Sequence, residues 1–216
     1  TVEEIRASMP LWARTMNTIV TINDFAEVCT EVTGIKDLVA LDYNFPDSGL
    51  VQPDDYYKVN IYALPEKVEG DVNSEDPLSN QIIIDGELTQ LGKELQEYID
   101  SRRLASLYLT YYNVEIIQPE IRVDVYLDPD DLRYSSVSGF VRNFIVEEFS
   151  RDNGQGIGDP LFASVIGHRI LENFDYIKYC EVRIPDEKIE ITRTQFLDVI
   201  PNNVTVITNP YDRDRY

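Results

Sequence analysis

Between Ile121 and Phe149 the hydrophobic period of the sequence changes from two to 3.6 across a short acidic turn, and few folds accommodate both halves of that change. Ile121, Val123, Val125 and Leu127 alternate with Arg122, Asp124, Tyr126 and Asp128, the pattern of a strand with one face buried. After Asp128-Pro129-Asp130-Asp131, the apolar residues Val137, Phe140, Val141, Phe144, Ile145 and Phe149 recur at helical spacing, with Arg142, Asn143, Glu147 and Glu148 opposite. Two apolar faces this clean must cover each other or an equivalent neighbour. A strand carrying a helix on one face is therefore the fixed point of the fold.

The rest of the chain repeats these signals. Val2 to Met9 reads as a short helix closed by Pro10. Thr21-Ile22-Asn23-Asp24 has the spacing of a capping box, Phe25, Val28, Cys29 and Val32 follow at helical spacing, and Gly34 stands where a helix C-terminal glycine belongs. Ile35–Tyr43 and Tyr56–Leu64 read as strands around a turn, and Pro65–Ser79 as an exposed acidic excursion. A helix from Glu87 to about Arg102, capped by Asp85, carries Leu88, Leu91, Leu95, Tyr98 and Ile99 on one face and leads to a strand at Leu107–Ile117. Beyond Phe149, Arg151–Gly158 is a glycine-rich loop, and Asp159-Pro160 supplies the cap and first-turn proline of a helix from Leu161 to Phe174. A strand follows around Cys180, Val182 and Ile184. Val199–Ile207, turning at Asn202-Asn203, reads as a hairpin or meander before a charged tail.

This order predicts an α+β fold of two small lobes, each a mostly antiparallel sheet with helices on one face. Pro119 cannot donate to a central ladder and marks the joint. The expected division is residues 1–118 as the first lobe with its N-terminal helical segment, 119–191 as the second, and 192–216 as a C-terminal strand or hairpin with its tail. With 216 residues, 43% of them hydrophobic, the chain buries enough surface to need neither metal nor disulfide. It begins at Thr1 without an initiator Met, so the expectation is a processed product or the C-terminal part of something longer.

Charge and chemistry narrow the function. The formal net charge is -20, from 39 acidic and 19 basic residues. Polyanion binding needs clustered Lys and Arg, so nucleic acid and anionic membrane surfaces are excluded as main partners. No apolar run spans a bilayer. Cys29 and Cys180 lie on apolar faces and read as buried thiols. His168, the one histidine, falls about 200 degrees around its helix from Ile166 and faces away from the core stripe, with no nucleophile motif beside it. Gly154-Gln155-Gly156-Ile157-Gly158-Asp159 lacks the G-x-G-x-x-G spacing, and Asp159 would repel a phosphate, so a turn with a helix cap fits better. Gly86–Lys93 lacks both the spacing and the Ser or Thr of a P-loop. Asp54-Asp55 and Asp128, Asp130, Asp131 have no EF-hand spacing and read as turns or caps. Tyr108, Tyr111, Tyr112 and Tyr126 read as core edges and protein contacts. No residue is assigned a catalytic, cofactor-binding or metal-binding role, and no cofactor or small-molecule substrate is expected.

Several segments also resemble the baseplate J-like family, the wedge components of contractile phage tails and related injection machines. They are Met9-Pro10-Leu11 with Arg14-Thr15, Val20-Thr21-Ile22-Asn23-Asp24-Phe25, Thr33-Gly34-Ile35, and Val114-Glu115-Ile116-Ile117-Gln118-Pro119. The alternating strand, the glycine-rich loop, the helix Leu161–Phe174 and Arg193–Val206 follow in similar order. Thr33 stands where the family has Pro, and Pro65–Ser79 is enlarged. The resemblance implies a non-enzymatic structural protein of the virion tail baseplate. It would join copies of itself, as a dimer within a ring around the hub, and neighbouring wedge proteins, and no catalytic residues carry over. A tail-associated carboxylate-based glycoside hydrolase, with two acids about 5 to 9.5 Å apart, is the alternative. A calcium-stabilised adhesion module is a third.

Overall fold

The computed structural model describes residues 18–19, 21–29, 31–42, 58–66, 81–103, 106–151, 153 and 156–212. The helix expected at Val2–Met9, most of the excursion after Pro65, and Asp54-Asp55 lie outside them. The chain divides into two compact units, Thr1–Val114 and Glu115–Tyr216.

In the first unit, Thr21 and Asp24 form the capping box read from sequence: the Thr21 N–H donates to Asp24 Oδ2 at 2.7 Å, and the Asp24 N–H to Thr21 Oγ1 at 3.4 Å. They start helix α1 (Ile22–Cys29). Strands β1 (Ile35–Asp42) and β2 (Lys58–Pro65) pair antiparallel, with Leu38 opposite Ala63 and Ala40 opposite Ile61. The chain returns through a two-residue hairpin, β3 (Ile83–Ile84) and β4 (Glu87–Leu88), and helix α2 (Gln90–Asp100). Strand β5 (Tyr108–Asn113) then lies parallel to β2, so the sheet order is β1-β2-β5. A parallel neighbour needs a crossover, and α2 lies on it. Leu38, Ala40, Val59, Ile61, Ala63 and Tyr111 of the sheet share one buried core with Phe25 of α1 and Leu95 and Ile99 of α2.

Helix α2 begins later than its apolar stripe suggested. Asp85 and Gly86 have φ of 52 and 82 degrees, the double positive φ of a hairpin turn, so Asp-Gly closes β3 on β4 and Asp85 caps nothing. The cap is Thr89, whose hydroxyl oxygen accepts from the Gly92 N–H at 3.2 Å.

In the second unit, β6 (Glu115–Ile117) and β7 (Ile121–Leu127) precede helix α3 (Val137–Glu148), where the change of period placed them. Residues Leu107–Ile117, expected as one strand, break at Val114 into β5 and β6. The short strand β8 (Leu161–Phe162) leads into helix α4 (Ala163–Asn173). Strands β9 (Tyr179–Ile184), β10 (Lys188–Ile189), β11 (Gln195–Leu197) and β12 (Val204–Pro210) complete the unit. The main sheet has the order β12-β7-β9. Val123, Val125 and Leu127 of its central strand pack with Val141 and Ile145 of α3 and Ile166 and Ile170 of α4.

Two expectations are corrected here. Leu161 and Phe162 do not begin the helix. They pair antiparallel with Ile189 and Lys188, and Asp159 makes no helix cap, because its Oδ2 accepts from the Gly156 N–H at 3.0 Å inside the loop. Val199–Ile207 is not a hairpin. Pro201–Asn203 forms one 3-10 turn, and the strands on either side run parallel to earlier ones: Gln195–Leu197 beside Glu115–Ile117, and Val204–Pro210 beside Ile121–Leu127. Both steps are held by the connection they copy, since the Asp198 N–H donates to the Ile117 carbonyl at 3.0 Å and Asn203 Nδ2 to the Gln118 carbonyl at 3.0 Å. The α+β class stands, with the described helices on one face of each three-stranded sheet and four of the seven described strand pairings antiparallel.

Candidate functional site

The described chemistry-bearing groups that the sequence singles out in the second unit are each engaged by their own neighbours. His168 sits on the outward side of α4 with its side chain 78% exposed, and its nearest acid is Glu172, one turn on, at 4.0 Å. Arg169 beside it reaches Glu148 at 3.5 Å and Glu172 at 3.6 Å, and the surface between them is a shallow open groove with Ser164 and Val165. In the glycine-rich loop, Gly158 has φ of 84 degrees, donates its N–H to the Gln195 carbonyl at 2.8 Å, and lies where a Cβ would be 3.0 Å from Arg193 Cα. The described part of the loop thus packs against a neighbouring turn.

The Asp128–Asp131 run folds the entry to α3. Asp128 Oδ1 accepts from the Asp130 N–H at 3.0 Å, and Asp131 forms a two-pronged pair with Arg133, at 2.9 Å to Nε and 2.7 Å to NH2. The Arg133 hydrogen bonds hold the Asp131 carboxyl down at about 2. The same guanidinium stacks 3.7 Å above the Tyr176 ring. Among the described residues, no three His, Cys, Asp or Glu side chains gather in a group that could hold a metal ion.

Two ionic arrangements gave no periodic signal in the sequence. Arg151 and Asp198 are both buried, with NH2 3.5 Å from Oδ2 and the Arg151 N–H donating to Oδ1 at 3.0 Å, which ties the end of α3 to the segment after β11. On the central strand β7, Asp124 is buried and accepts from Arg183 Nε at 3.0 Å, while Arg183 NH1 reaches Glu181 at 2.6 Å. Asp124 and Glu181 stand directly opposite on β7 and β9, a like-charge pair that Arg183 bridges and offsets in part. Beneath them Cys180 is a free thiol whose ionisation burial, aided by the Asp124 charge, pushes up to about 12.

The described helices pack on one face of each main sheet. On the other face of the first, strand pairing lines up Val39, Tyr62 and Tyr112 in one row, Leu41, Asn60 and Thr110 in the next, and Lys58 beside Tyr108 in a third. Tyr62 and Tyr112 stack with ring centroids 5.1 Å apart, and burial together with Tyr112 raises the pKa of the Tyr62 phenol. Tyr108 is 71% and Tyr112 41% exposed, while Tyr111 points to the core. Of the tyrosines expected at core edges, Tyr111 and Tyr126 are buried and Tyr108 and Tyr112 are not. The corresponding face of the second sheet carries Asp124, Glu181 and Arg183, with Tyr126 and Tyr179 5.5 Å apart beside them. The exposed Tyr108 and Tyr112 of the first sheet suit protein contact better than the enclosure of a small molecule.

No family model matches the chain, and no curated protein matches it. Among solved structures it is similar to a chain in the cryo-EM structure of the anti-feeding prophage baseplate, 6-fold symmetrised. The two are 12% identical over 92% of this chain and 41% of that one, with a TM-score of 0.49. This chain therefore spans about two fifths of the length of the chain it matches. Among the described residues no helix is long and apolar enough to cross a membrane.

Proposed function

We propose that this chain is a non-enzymatic structural component of a contractile-tail baseplate wedge, resident in the virion, where it joins copies of itself and neighbouring wedge proteins into the ring around the hub. The observation that carries the reading is the division of labour on its surface. Among the described residues, the polar groups with catalytic potential are spent on turns and helix-surface pairs of their own units, whereas the first sheet presents the exposed tyrosines Tyr108 and Tyr112 on the face opposite its described helices. The collinear series of baseplate J-like segments, from Met9-Pro10-Leu11 to Arg193–Val206, supplies the particular assembly.

Co-expression with the baseplate proteins of one contractile particle tests it. The expected result is co-elution of the chain with at least one of them in a species larger than either alone. Separate elution of every component, or turnover of a cell-wall polymer by the purified chain, would refute the proposal.

A further inference from the structure

We propose that the outer edge of β12 is a docking site for an extended segment of another, basic protein, which joins the second sheet as a fourth strand. Each three-stranded sheet has two edge strands, and a bare edge recruits foreign strands unless something blunts it. Three of the four edges are blunted. Strand β1 carries Lys36, Asp37 and Asp42, and its register shifts between Ile35 and Asp37. The end of β5 is occupied through Asn113, whose Oδ1 accepts from the Ile82 and Ile83 N–H groups at 3.0 and 3.1 Å and whose Nδ2 donates to the Ile83 carbonyl at 2.7 Å. Strand β9 carries Glu181 and Arg183, and its pairing shifts between Arg122 and Val123 of β7. None of these devices is present on β12. Its residues Val204-Thr205-Val206-Ile207-Thr208 are β-branched in succession, the strand holds no charge, and it pairs with β7 in one unbroken parallel register.

The phase of the ladder identifies the groups this edge offers. The Tyr211 N–H donates to the Leu127 carbonyl at 2.9 Å, and in a parallel pair every second residue bonds to the partner strand. Thr205, Ile207 and Asn209 therefore bond to β7, while Val204, Val206, Thr208 and Pro210 face away. Pro210, with no N–H to give, falls on the outward side and costs the ladder nothing. The Val204 N–H turns back to the Pro201 carbonyl. Left outward are the carbonyls of Val204, Val206 and Thr208 and the N–H groups of Val206 and Thr208. Among the described residues none of these five groups has a hydrogen-bond partner. They repeat at about 6.6 Å, two residues of a strand. An extended backbone presents donors and acceptors at that repeat, whereas a helix or a small molecule does not, so the occupant is a polypeptide strand. Charge decides whose strand it is. A second copy brings another -20 to the same edge, whereas a basic chain is attracted. The edge is read from backbone geometry and stands apart from the baseplate assembly proposed above.

NMR of the whole chain with a synthetic probe peptide, Lys-Val-Thr-Val-Thr-Val-Lys, tests this. In the free chain the Val206 and Thr208 amides should exchange with deuterium at least about tenfold faster than those of Thr205 and Ile207. The peptide should shift the resonances of β12 and slow both exchanges, with a dissociation constant on the order of 0.1–1 mM because a loose peptide loses its backbone freedom on docking. Replacing both its Lys by Glu should weaken binding at least about threefold at about 0.05 M NaCl, and the gap should close at about 0.5 M. Thr208→Pro removes one outward N–H, keeps the ladder to β7, and should weaken binding at least about fivefold. N-methylation of the central Val of the peptide and the Thr after it blocks either phase of pairing, leaves the protein untouched, and should abolish binding. Slow exchange at Val206 and Thr208 in the free chain, no shift on β12 at about 2 mM peptide, or undiminished binding of the methylated peptide overturns the proposal. So does protection that grows with chain concentration alone, the mark of a second copy. Loss of co-elution with baseplate proteins leaves all these readouts unchanged, so the two proposals fail separately.

Discussion

Two glycines in helices make opposite predictions for the same substitution. In a helix, replacing Gly by Ala gains up to about 1 kcal/mol from propensity. At Gly139, in α3, an added Cβ would find nothing within 4 Å. Gly139→Ala should therefore stabilise the protein by about 0.5–1 kcal/mol. At Gly92, in α2, the added Cβ would penetrate the Ile82 carbonyl oxygen and lie 3.2 Å from its carbon and 3.0 Å from Leu88 Cδ2. That carbonyl cannot retreat freely, because it accepts the Thr89 N–H at 2.9 Å and the Thr89 hydroxyl at 3.2 Å, and Thr89 is the helix cap. Overpacking of about 1–3 kcal/mol and weakening of one or two hydrogen bonds at about 1 kcal/mol each outweigh the propensity gain. Gly92→Ala should cost about 2–3 kcal/mol net. Urea unfolding followed by far-UV circular dichroism reads both variants. A stabilised Gly92→Ala would show that the hairpin β3–β4 does not press on α2 as described, and the close approach would have to be abandoned.

Other consequences follow from the ionic and thiol groups. Asp198→Ala leaves the Arg151 guanidinium buried without its acid and should destabilise by about 3–5 kcal/mol, whereas replacing both with apolar residues, Arg151→Met with Asp198→Leu, should recover most of the loss in the same urea experiment. The Asp131 carboxyl, held at about 2 by Arg133, lies below its unfolded value of about 3.9, so its contribution to stability is complete above about pH 4 to 5 and disappears as pH falls through about 2. A carbon-detected NMR titration should place the Asp131 midpoint near 2, and Arg133→Gln should return it toward the ordinary aspartate range. Cys180, its ionisation pushed up to about 12, should be alkylated by iodoacetamide at pH 8 about a thousandfold more slowly than an open thiol, with the full rate restored in denaturant when the Cys180 peptide is followed by mass spectrometry.

Local period was the part of the fold most legible in the sequence. The alternation at Ile121–Leu127 and the stripe from Val137 to Phe149 gave β7 and α3, and the Thr21–Asp24 spacing gave a capping box that forms as drawn. Signals with two local meanings were harder to read. Asp85-Gly86 is both a possible helix cap and a hairpin turn, and the pairing of Ile83 with Leu88 decides it. Leu161-Phe162 has helical neighbours, but Lys188-Ile189, more than 25 residues on, draws it into a strand. The C-terminal strands pair parallel with residues about 80 positions earlier, a choice fixed by long-range register that no local turn signal at Asn202-Asn203 can report. For the candidate surface, the tyrosines of β5 were visible as a cluster. Which of them face outward depends on the parallel register with β2, and that sets Tyr108 and Tyr112 apart from Tyr111. Arg151 and Asp198 meet only through the tertiary fold.

The central claim is that this chain belongs to a baseplate and does its work by position. Cryo-electron microscopy of purified contractile particles from cells producing the chain tests it most directly. The account predicts density for both units, Thr1–Val114 and Glu115–Tyr216, repeated around the baseplate ring and in contact with other wedge proteins. Intact baseplates whose ring contains no density for this chain, with the chain left free in the lysate, would contradict it.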